Sequence, residues 1–255
     1  MSNLTLKNKV VFVTGANRQK GIGRALVEEA VKRGAKKVYA TTRSIAQLGD
    51  LVARYPGIVV PLSLDVTNKA DIERVAREAS DTQILINNSG VAGYSGICFN
   101  HNEEMARQEM EVNYWGPLNL TRAFCKAIIN NKNGAIANVI SIGGLSTFPL
   151  AATYTASKAA AHSLTQAVRA ELAFHDVPVF GIYPGPIDTD MADGLEFAKE
   201  SPANAAIRIF DDMEQGIEDI LPDDFAEQFV QQLRLDPKVA EKNIGDNVHR
   251  MPEGF

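Results

Sequence analysis

A tyrosine and a lysine spaced for shared chemistry lie in the segment "YTASK". Tyr154 and Lys158 are four residues apart on a predicted helix, so their polar ends can meet at one ligand. A phenol has an ordinary pKa of about 10 and a neighbouring ammonium stabilises its anion, so the pair suits proton transfer. Ser141 ends a predicted strand thirteen residues earlier and offers a hydroxyl to a substrate oxygen. An ordinary helix-surface contact is the alternative, because this spacing is common.

A second stretch, "TGANRQKGIG" at residues 14–23, joins an apolar run to a helix-like segment. Its glycines allow tight turning and a close approach of the backbone to a ligand. The helix that follows offers unpaired amides and the positive end of its dipole to an anion. The stretch therefore predicts a phosphate-binding turn, with a purely structural strand-to-helix turn as the alternative.

Length and composition narrow the kinds of protein that carry these residues. The 255 residues suffice for one large α/β domain or two small ones. Acidic residues outnumber basic ones by 31 to 26, which argues against a nucleic-acid binder. The two cysteines form no CxxC motif and the four histidines lack metal-ligand spacing. Without a secretory leader or a run of about 18 apolar residues, we expect a soluble cytoplasmic protein with no membrane partner.

Short β-branched runs alternate with longer helix-like segments, which is typical of βαβ units on a parallel sheet. The runs are nearly continuous apolar stretches, as expected for strands covered on both faces. We predict strands at residues 10–14, 37–41, 58–64, 83–87, 135–141 and 177–183. The predicted fold is a doubly wound parallel sheet of Rossmann type, in three α/β/α layers, forming one domain over residues 1–255.

Helices are predicted between these strands, at residues 21–34, 70–79, about 102–130 and 154–173. In the first of them, Ile22, Leu26 and Ala30 recur at four-residue spacing, and Gly34 lies where the helix can end. A further helix is predicted at residues 222–233. An open parallel sheet binds ligands at the carboxyl ends of its strands, which is where the glycine turn lies.

The end of the second strand indicates which dinucleotide the turn would bind. A carboxylate there binds the adenosine ribose of NAD, whereas an arginine accommodates the 2′-phosphate of NADP. The strand runs into "YATTRS", which has no acidic residue and places Arg43 at its end. Arg18 and Lys20 in the turn add two cations nearby, and the three together favour NADP(H). Solvated surface cations are the alternative.

Asp65 and Val66, in "SLDVT" at the end of the third strand, are placed to meet the adenine. The contact would use either the Asp65 side chain or the Val66 amide. The alternative for Asp65 is a cap or a turn residue, a common role for aspartate.

The motifs follow one order along the chain: the glycine turn, "NNSG" at 87–90, "NYWG" around Asn113, Ser141, "YTASK", and "PGPIDT" at 184–189. In this set and order, over roughly residues 7–191, the sequence resembles the short-chain dehydrogenase/reductase family. The resemblance implies a catalytic tetrad of Asn113, Ser141, Tyr154 and Lys158.

The resemblance also implies what each residue does. Tyr154 would exchange a proton with the substrate oxygen while the nicotinamide exchanges hydride, and Ser141 would polarise the carbonyl. Lys158 would bind the nicotinamide ribose and lower the pKa of Tyr154. Asn113 would hold a water that links Lys158 to solvent, helped by a local break in its helix. The implied cofactor-binding set, besides Tyr154 and Lys158, is Gly15, Gly21, Ile22 and Gly23 in the turn, then Asn87, Pro184, Gly185, Ile187 and Thr189.

Three features depart from the family pattern. Five residues separate Gly15 from Gly21 where the family has three, so the turn is two residues longer. Ser89 stands where the family commonly has alanine. The chain end lacks the final strand and Gly-rich signature frequent in the family, although the helices carrying Asn113 and Tyr154 remain able to pair. We expect a homodimer or homotetramer.

Residues 190–215 are expected to cover the substrate, because they begin where the sixth strand reaches the cofactor. Arg208 is the only strong cation between Lys199 and Arg234, which disfavours an acidic carrier and hence a fatty-acid ketoacyl reductase. Ordinary packing is the alternative for each apolar residue that would form the substrate walls. Those residues are Leu195, Phe197, Ile207 and Phe210, together with Ile142, Leu145 and Phe148.

The predicted function is an NADP(H)-dependent oxidoreductase that interconverts a ketone or aldehyde and an alcohol in a small molecule. Carbonyl reduction is expected, because cellular NADPH pools usually drive reduction. One alternative is a dinucleotide-binding regulatory protein without turnover, although such a protein has no need of the tetrad. The others are an NAD-dependent alcohol dehydrogenase and an epimerase or dehydratase acting on a sugar nucleotide, for which the C-terminal region leaves little room.

Overall fold

A computed structural model describes residues 4–93, 95–98, 101–193 and 198–246. The strands are β1 (Val10–Val13), β2 (Lys37–Thr42), β3 (Val59–Ser63), β4 (Ile84–Asn87), β5 (Ala135–Val139), β6 (Val179–Ile182) and β7 (Asp219–Ile220). They form one parallel sheet in the order β3-β2-β1-β4-β5-β6-β7. The six predicted strands and the doubly wound Rossmann-type sheet are confirmed, and the strand ends differ from the predicted ones by at most two residues.

The seventh strand lies outside the predicted set. Asp219 and Ile220 pair in parallel with Gly181 and Ile182 of β6, and two residues are too few to show a strand pattern. From Leu221 to Asp246 the structure has helices and connecting turns and no further strand.

The helices connect and cover the strands. They are α1 (Ile22–Lys32), α2 (Gly49–Arg54), α3 (Lys69–Glu78), α4 (Glu103–Met110), α5 (Gly116–Asn131), α6 (Ala152–Leu172), α7 (Pro202–Gln215), α8 (Asp224–Leu235) and α9 (Pro237–Asp246). A π-helical turn at Glu111–Trp115 joins α4 to α5. Short 3-10 helices follow β5 at Ile142–Gly144 and β6 at Asp190–Ala192.

Two apolar cores lie on opposite faces of the sheet, because alternate residues of a strand point to opposite faces. Val11 and Val13 of β1 pack in the core that α1, α2 and α7 cover. Phe12 packs in the core formed with α3, α5 and α6, where its ring lies 4.7 Å from that of Phe124. The predicted three-layer α/β/α arrangement is confirmed, and it leaves the carboxyl ends of the strands free to build a site.

Candidate active site

The glycine turn connects the carboxyl end of β1 to α1 and presents bare backbone. Gly15 has a φ of 69°, a left-handed conformation that favours glycine. A side chain at Gly23 would overlap the Gly15 carbonyl and the Asn88 amide. Helix α1 begins after Gly21 with no side-chain cap, so at Ile22 and Gly23 its first amides face outward without a side-chain acceptor. These features suit a phosphate group, which would occupy the space that side chains would fill.

The three cations of the predicted 2′-phosphate site do not share one environment. Arg43 directly follows β2 and is exposed, and Lys20 in the turn is exposed too. The turn and the end of β2 are joined by a hydrogen bond from the Ala16 amide to the Thr41 carbonyl at 2.9 Å. Arg18 instead lies 3.9 Å from Asp190, which follows β6, and both side chains are about half exposed, at 49% and 50%.

Asp65 forms a turn after β3. Its Oδ1 accepts hydrogen bonds from the amide and the hydroxyl of Thr67, at 2.9 and 2.7 Å. The neighbouring Val66 is buried against Gly116 at the start of α5. The structure thus shows the turn role that we kept as the alternative for Asp65, at the strand end where the adenine is expected.

Asn87 ends β4 inside a chain of buried amides and hydroxyls. Its Nδ2 donates to Asn138 Oδ1 at 2.8 Å, and Asn138 Nδ2 donates to Thr165 Oγ1 at 2.9 Å. Next to it, the Thr14 hydroxyl accepts from the amides of Asn88 and Ser89, at 2.8 Å each. These bonds tie β4 to β5, to α6 and to the glycine turn, so the strand beside the proposed cofactor is rigidly held.

Lys158 and Tyr154 lie one turn apart on α6, as predicted. Lys158 is 4% exposed, its Nζ donates to the Val139 carbonyl at 3.0 Å, and it lies 5.7 Å from the centre of the Tyr154 ring. Burial lowers the pKa of Lys158 from 10.5 to about 8, because removal from water disfavours the charged form. The pair therefore places a readily titrated ammonium beside a phenol.

Ser141 lies between the carboxyl ends of β5 and β6. Its Oγ accepts from the Gly143 amide at 3.0 Å, and it is 3.5 Å from the Pro184 carbonyl to which it donates. The Ile142 amide also donates to the Pro184 carbonyl, at 3.1 Å. The hydroxyl thus lies at the same edge of the sheet as the "PGPIDT" segment.

Asn113 lies in the π-helical turn, which agrees with the helix break implied by the resemblance. Its Oδ1 accepts from the Val91 amide at 3.0 Å, and its Nδ2 donates to the Val91 carbonyl and to Ser157 Oγ, at 2.8 and 2.9 Å. A methyl group on Gly90 would lie 3.4 Å from Asn113 Oδ1 and 3.5 Å from Lys158 Nζ. Asn113 and Lys158 are therefore near neighbours across a glycine.

The segment after β6 carries the remaining predicted cofactor contacts. Pro184 and Ile187 are buried, whereas Gly185 and Thr189 are partly exposed. The Gly185 amide donates at 2.8 Å to Oδ2 of Asp223, whose Oδ1 accepts from the Ala226 amide in the first turn of α8.

Sequence reasoning missed Asp223 and Glu109. Asp223 is almost fully buried, and burial raises the pKa of its carboxyl despite its hydrogen bonds to two backbone amides. The "PDDF" start of α8 signals a capping aspartate, but no sequence pattern shows the bond to Gly185. Glu109 of α4 is also buried and holds the Gly93 amide at 2.6 Å, with no signal that separates it from the exposed acids around it.

The predicted substrate walls divide into three groups. Ile142, Leu145 and Phe148 pack beside α8, where the ring of Phe148 lies 5.7 Å from that of Phe229. Leu195 and Phe197 lie outside the described residues. Phe210 is wrong as a wall: it is 0% exposed in the core beneath α1, while Ile207 is 39% exposed on the surface of α7. Helix α7 turns its apolar face to the sheet and not to a substrate.

Two further classes of feature are absent from the described residues. No helix among them is long and apolar enough to cross a membrane. No three His, Cys, Asp or Glu side chains among them gather into a possible metal site.

Comparison with known proteins adds to this geometry. A family model described as short chain dehydrogenase matches residues 9–199. A short-chain dehydrogenase from Burkholderia cenocepacia J2315, solved in complex with NADP, is 39% identical with a TM-score of 0.88, over 94% of this chain and 98% of that one. One from Streptomyces avermitilis is 30% identical with a TM-score of 0.80, over 96% and 98%. The 3-oxoacyl-(acyl-carrier-protein) reductase FabG of Vibrio cholerae is 34% identical over 202 residues, 75% of this chain and 79% of that protein.

Proposed function

The chain belongs to the short-chain dehydrogenase/reductase family of oxidoreductases, and from that premise we propose that it is an NADPH-dependent carbonyl reductase. Its substrate is a small ketone or aldehyde, which it converts to an alcohol. The observation that carries this proposal is the buried Lys158 ammonium, 5.7 Å from the centre of the Tyr154 ring. A binding protein without turnover has no use for a lysine desolvated at that position.

The glycine turn fits a nicotinamide dinucleotide. Gly15 and Gly23 keep the turn clear of side chains, and the uncapped start of α1 offers amides to the pyrophosphate. Lys20 and Arg43 have no acidic partner in the described part of the chain, so they are available to a 2′-phosphate. The complex of the Burkholderia relative with NADP supports the same choice.

The chain's own residues handle the proton. When bound, the cofactor supplies a hydride to the carbonyl carbon. Tyr154 donates a proton to the carbonyl oxygen, and Ser141 donates a hydrogen bond that polarises it. The Lys158 ammonium stabilises the tyrosinate that remains, because an opposite charge lowers the pKa of a phenol. Asn113, next to Lys158 across Gly90, holds a water that returns the proton from solvent.

The Vibrio relative suggests a second substrate class, a 3-oxoacyl group on an acidic carrier protein. Such a carrier would need a basic docking surface beside the site. Residues 190–215 carry two cations, Lys199 and Arg208, and the Arg208 guanidinium pairs with Asp224 at 2.8 Å and with Glu227. Because these carboxylates already engage Arg208, we favour a small free carbonyl compound.

We also propose that the enzyme acts in the cytoplasm as a homodimer or homotetramer. Helix α6 presents small exposed residues such as Ala156, Ala159 and Ser163, and Trp115 is exposed where α5 begins. A second copy would cover this surface. Light scattering during size-exclusion chromatography measures the mass, and a monomer at working concentration contradicts the assembly.

Fluorescence titration of NADPH and NADH tests the cofactor assignment. We expect NADPH to bind more tightly, and Arg43→Ala to weaken NADPH by about ten-fold while leaving NADH unchanged, because a charge-assisted hydrogen bond is lost. Arg77→Ala is the matched control: Arg77 is an exposed arginine at the far end of α3 from the strands' carboxyl ends. If NADH binds more tightly than NADPH, and neither affinity changes in Arg43→Ala, the result would instead indicate an NAD-dependent alcohol dehydrogenase.

Turnover is tested with a panel of aldehydes and ketones and with NADPH. We expect oxidation of NADPH by the wild type and none above background by Tyr154→Phe, which keeps the ring but loses the proton. Tight NADPH binding with no turnover over a broad panel would favour the regulatory alternative.

A further inference from the structure

Glu109 is a buried acid that has no role in the proposed tetrad. The residue is 0% exposed, its Oε1 accepts from the Gly93 amide at 2.6 Å, and its buried Oε2 has no hydrogen-bond partner in the ranges that the structure describes. An unpaired buried carboxylate oxygen destabilises a fold, whereas methionine or leucine would fill the same space without that penalty. Packing alone therefore favours an apolar residue here, so the carboxylate calls for another explanation.

The acid belongs to a clamp on the segment that follows β4. Asn113, one turn further along the same helical run, holds the amide and the carbonyl of Val91, at 3.0 and 2.8 Å. Glu109 holds the amide of Gly93, two residues on. Successive turns of the helical run formed by α4 and the π-helical turn thus hold alternate residues of one loop, so this run determines where the loop lies.

The close approach of the loop to α4 also indicates that the helix holds the loop in place. A side chain on Gly93 would overlap Met105 and would lie 3.4 Å from Glu109 Oε1. The hydrogen bond from the Gly93 amide to Glu109 Oε1 is short, at 2.6 Å. The side chain of Glu109 therefore holds the loop close against the helix.

Hydrogen bonds link the position of this loop to the start of α6. The Ser95 carbonyl accepts from the amide of Ala152, the first residue of α6, at 3.1 Å. The Ser95 hydroxyl accepts from the amide of Asn102, the residue that caps α4, at 2.9 Å. The start of α6 is thus hydrogen-bonded to the loop that Glu109 and Asn113 hold, and Tyr154 lies two residues beyond Ala152.

We propose that Glu109 is a positioning residue for Tyr154. It acts through the Gly93 amide, the Ser95 carbonyl and the start of α6, and it touches neither substrate nor cofactor. The effect on turnover rests on the proposed reductase function, whereas the effect on the loop does not. A small displacement of a catalytic group is enough to slow a reaction by one or two orders of magnitude.

Hydrogen exchange and kinetics on Glu109→Met test the proposal. We expect the amides of residues 91–93 and of Ala152 to exchange about ten-fold faster than in the wild type, while those of β4 stay unchanged. We expect kcat with NADPH to fall about 10- to 100-fold with an unchanged Kd for NADPH. Glu109→Gln keeps an acceptor for Gly93, so it should recover most of both properties. Glu104→Met, an exposed glutamate on the same helix, is the matched control.

The outcomes separate the possible roles. Wild-type exchange and kcat in Glu109→Met would overturn the proposal, and so would faster exchange throughout the sheet with a lower melting temperature, since that pattern means a merely structural role. If the wild type turns over no carbonyl compound, the reductase proposal fails. The exchange at Ala152 still decides whether Glu109 positions the start of α6.

Discussion

The two ends of the proposed cofactor crevice differ in how they hold their charged and polar groups. At the adenosine end, Lys20 and Arg43 lie in solvent, and Arg18 makes a single half-exposed ion pair. At the nicotinamide end, Lys158 and Asn113 are 4% and 1% exposed and hydrogen-bonded to the backbone. In the proposed reductase, the first end would choose between cofactors with charges that solvent screens, whereas the second would perform the chemistry with groups fixed before the substrate arrives.

This difference has an energetic consequence. Exposed ion pairs are worth about 0–1 kcal/mol and weaken in salt. Buried charge-assisted hydrogen bonds are worth about 1.5–3 kcal/mol each, and removing one partner leaves the other desolvated. We therefore expect substitutions at the adenosine end to alter cofactor preference by about ten-fold or less, and substitutions at the nicotinamide end to abolish turnover or loosen the fold.

The largest effect is expected for Lys158→Met. Without the ammonium, the tyrosinate left by proton transfer is unsupported, so kcat should fall by about 10²- to 10⁴-fold, as is typical when an acid–base group is disabled. Steady-state kinetics with NADPH and the best carbonyl substrate measures it. Lys126→Met, on the exposed surface of α5, is the matched control. A kcat within ten-fold of wild type would contradict the role of Lys158.

The same variant tests the burial of the lysine through stability. Burial lowers the pKa of Lys158 in the folded state to about 8, below its ordinary value of 10.5. Below pH 8 both states bind the proton, so the folded state bears the full cost of the buried charge. Between the two pKa values only the unfolded state binds it, so stability rises with pH. From pH 7 to pH 10, we expect urea denaturation to show the wild type gaining roughly 2 kcal/mol relative to Lys158→Met.

An intermediate effect is expected for Asp223→Ala, which removes a buried group outside the tetrad. The change leaves the Gly185 amide and the first turn of α8 without their acceptor, so the free energy of unfolding should fall by about 2 kcal/mol. NADPH binding should weaken several-fold, because Gly185 is one of the residues predicted to bind the cofactor. Asp236→Ala, which removes the exposed cap at the start of α9, should lower stability without changing NADPH binding. Equal NADPH affinities in both variants would contradict the link to Gly185.

The sequence predicts the sheet well and the supporting contacts poorly, for a physical reason. Central parallel strands are buried on both faces, so their apolar runs can be recognised in the sequence. Among the strands of the described residues, the two-residue β7 is the one that the sequence does not predict. The residues of the proposed tetrad can be picked out because their types and order in the chain are distinctive. Asp223 and Glu109 accept hydrogen bonds from the backbone amides of Gly185 and Gly93, which lie far away in the sequence. Neither residue type nor spacing along the chain predicts such bonds.

Helix α7 shows a second limit of the sequence, which predicts an apolar helix face but not what that face packs against. Ile207 and Phe210 are three residues apart, and their spacing marks an apolar helix face. It does not say whether that face meets the sheet or a substrate. The packing of Phe210 against α1, with the Arg33 guanidinium 5.7 Å from its ring centre, decides for the core.

The smallest effect is expected at the ion pair between Arg18 and Asp190. Asp190→Asn frees the guanidinium and removes a negative charge near the crevice, so NADPH should bind about two- to three-fold more tightly, and NADH should change less. Because both side chains are about half exposed, the gain should disappear in high salt. Titration of both cofactors at low and high salt measures it, with Asp188→Asn, an exposed carboxylate two residues away, as the control.

An equal gain for NADPH and NADH would contradict the prediction that Arg18 reads the 2′-phosphate, because only one of the two cofactors carries that group. Arg18 would then act on the pyrophosphate that both share, and the two-residue extension of the turn would have moved it there. The choice of NADPH would rest on Lys20 and Arg43 alone, so the Lys20→Ala/Arg43→Ala double variant should bind both cofactors with similar affinity.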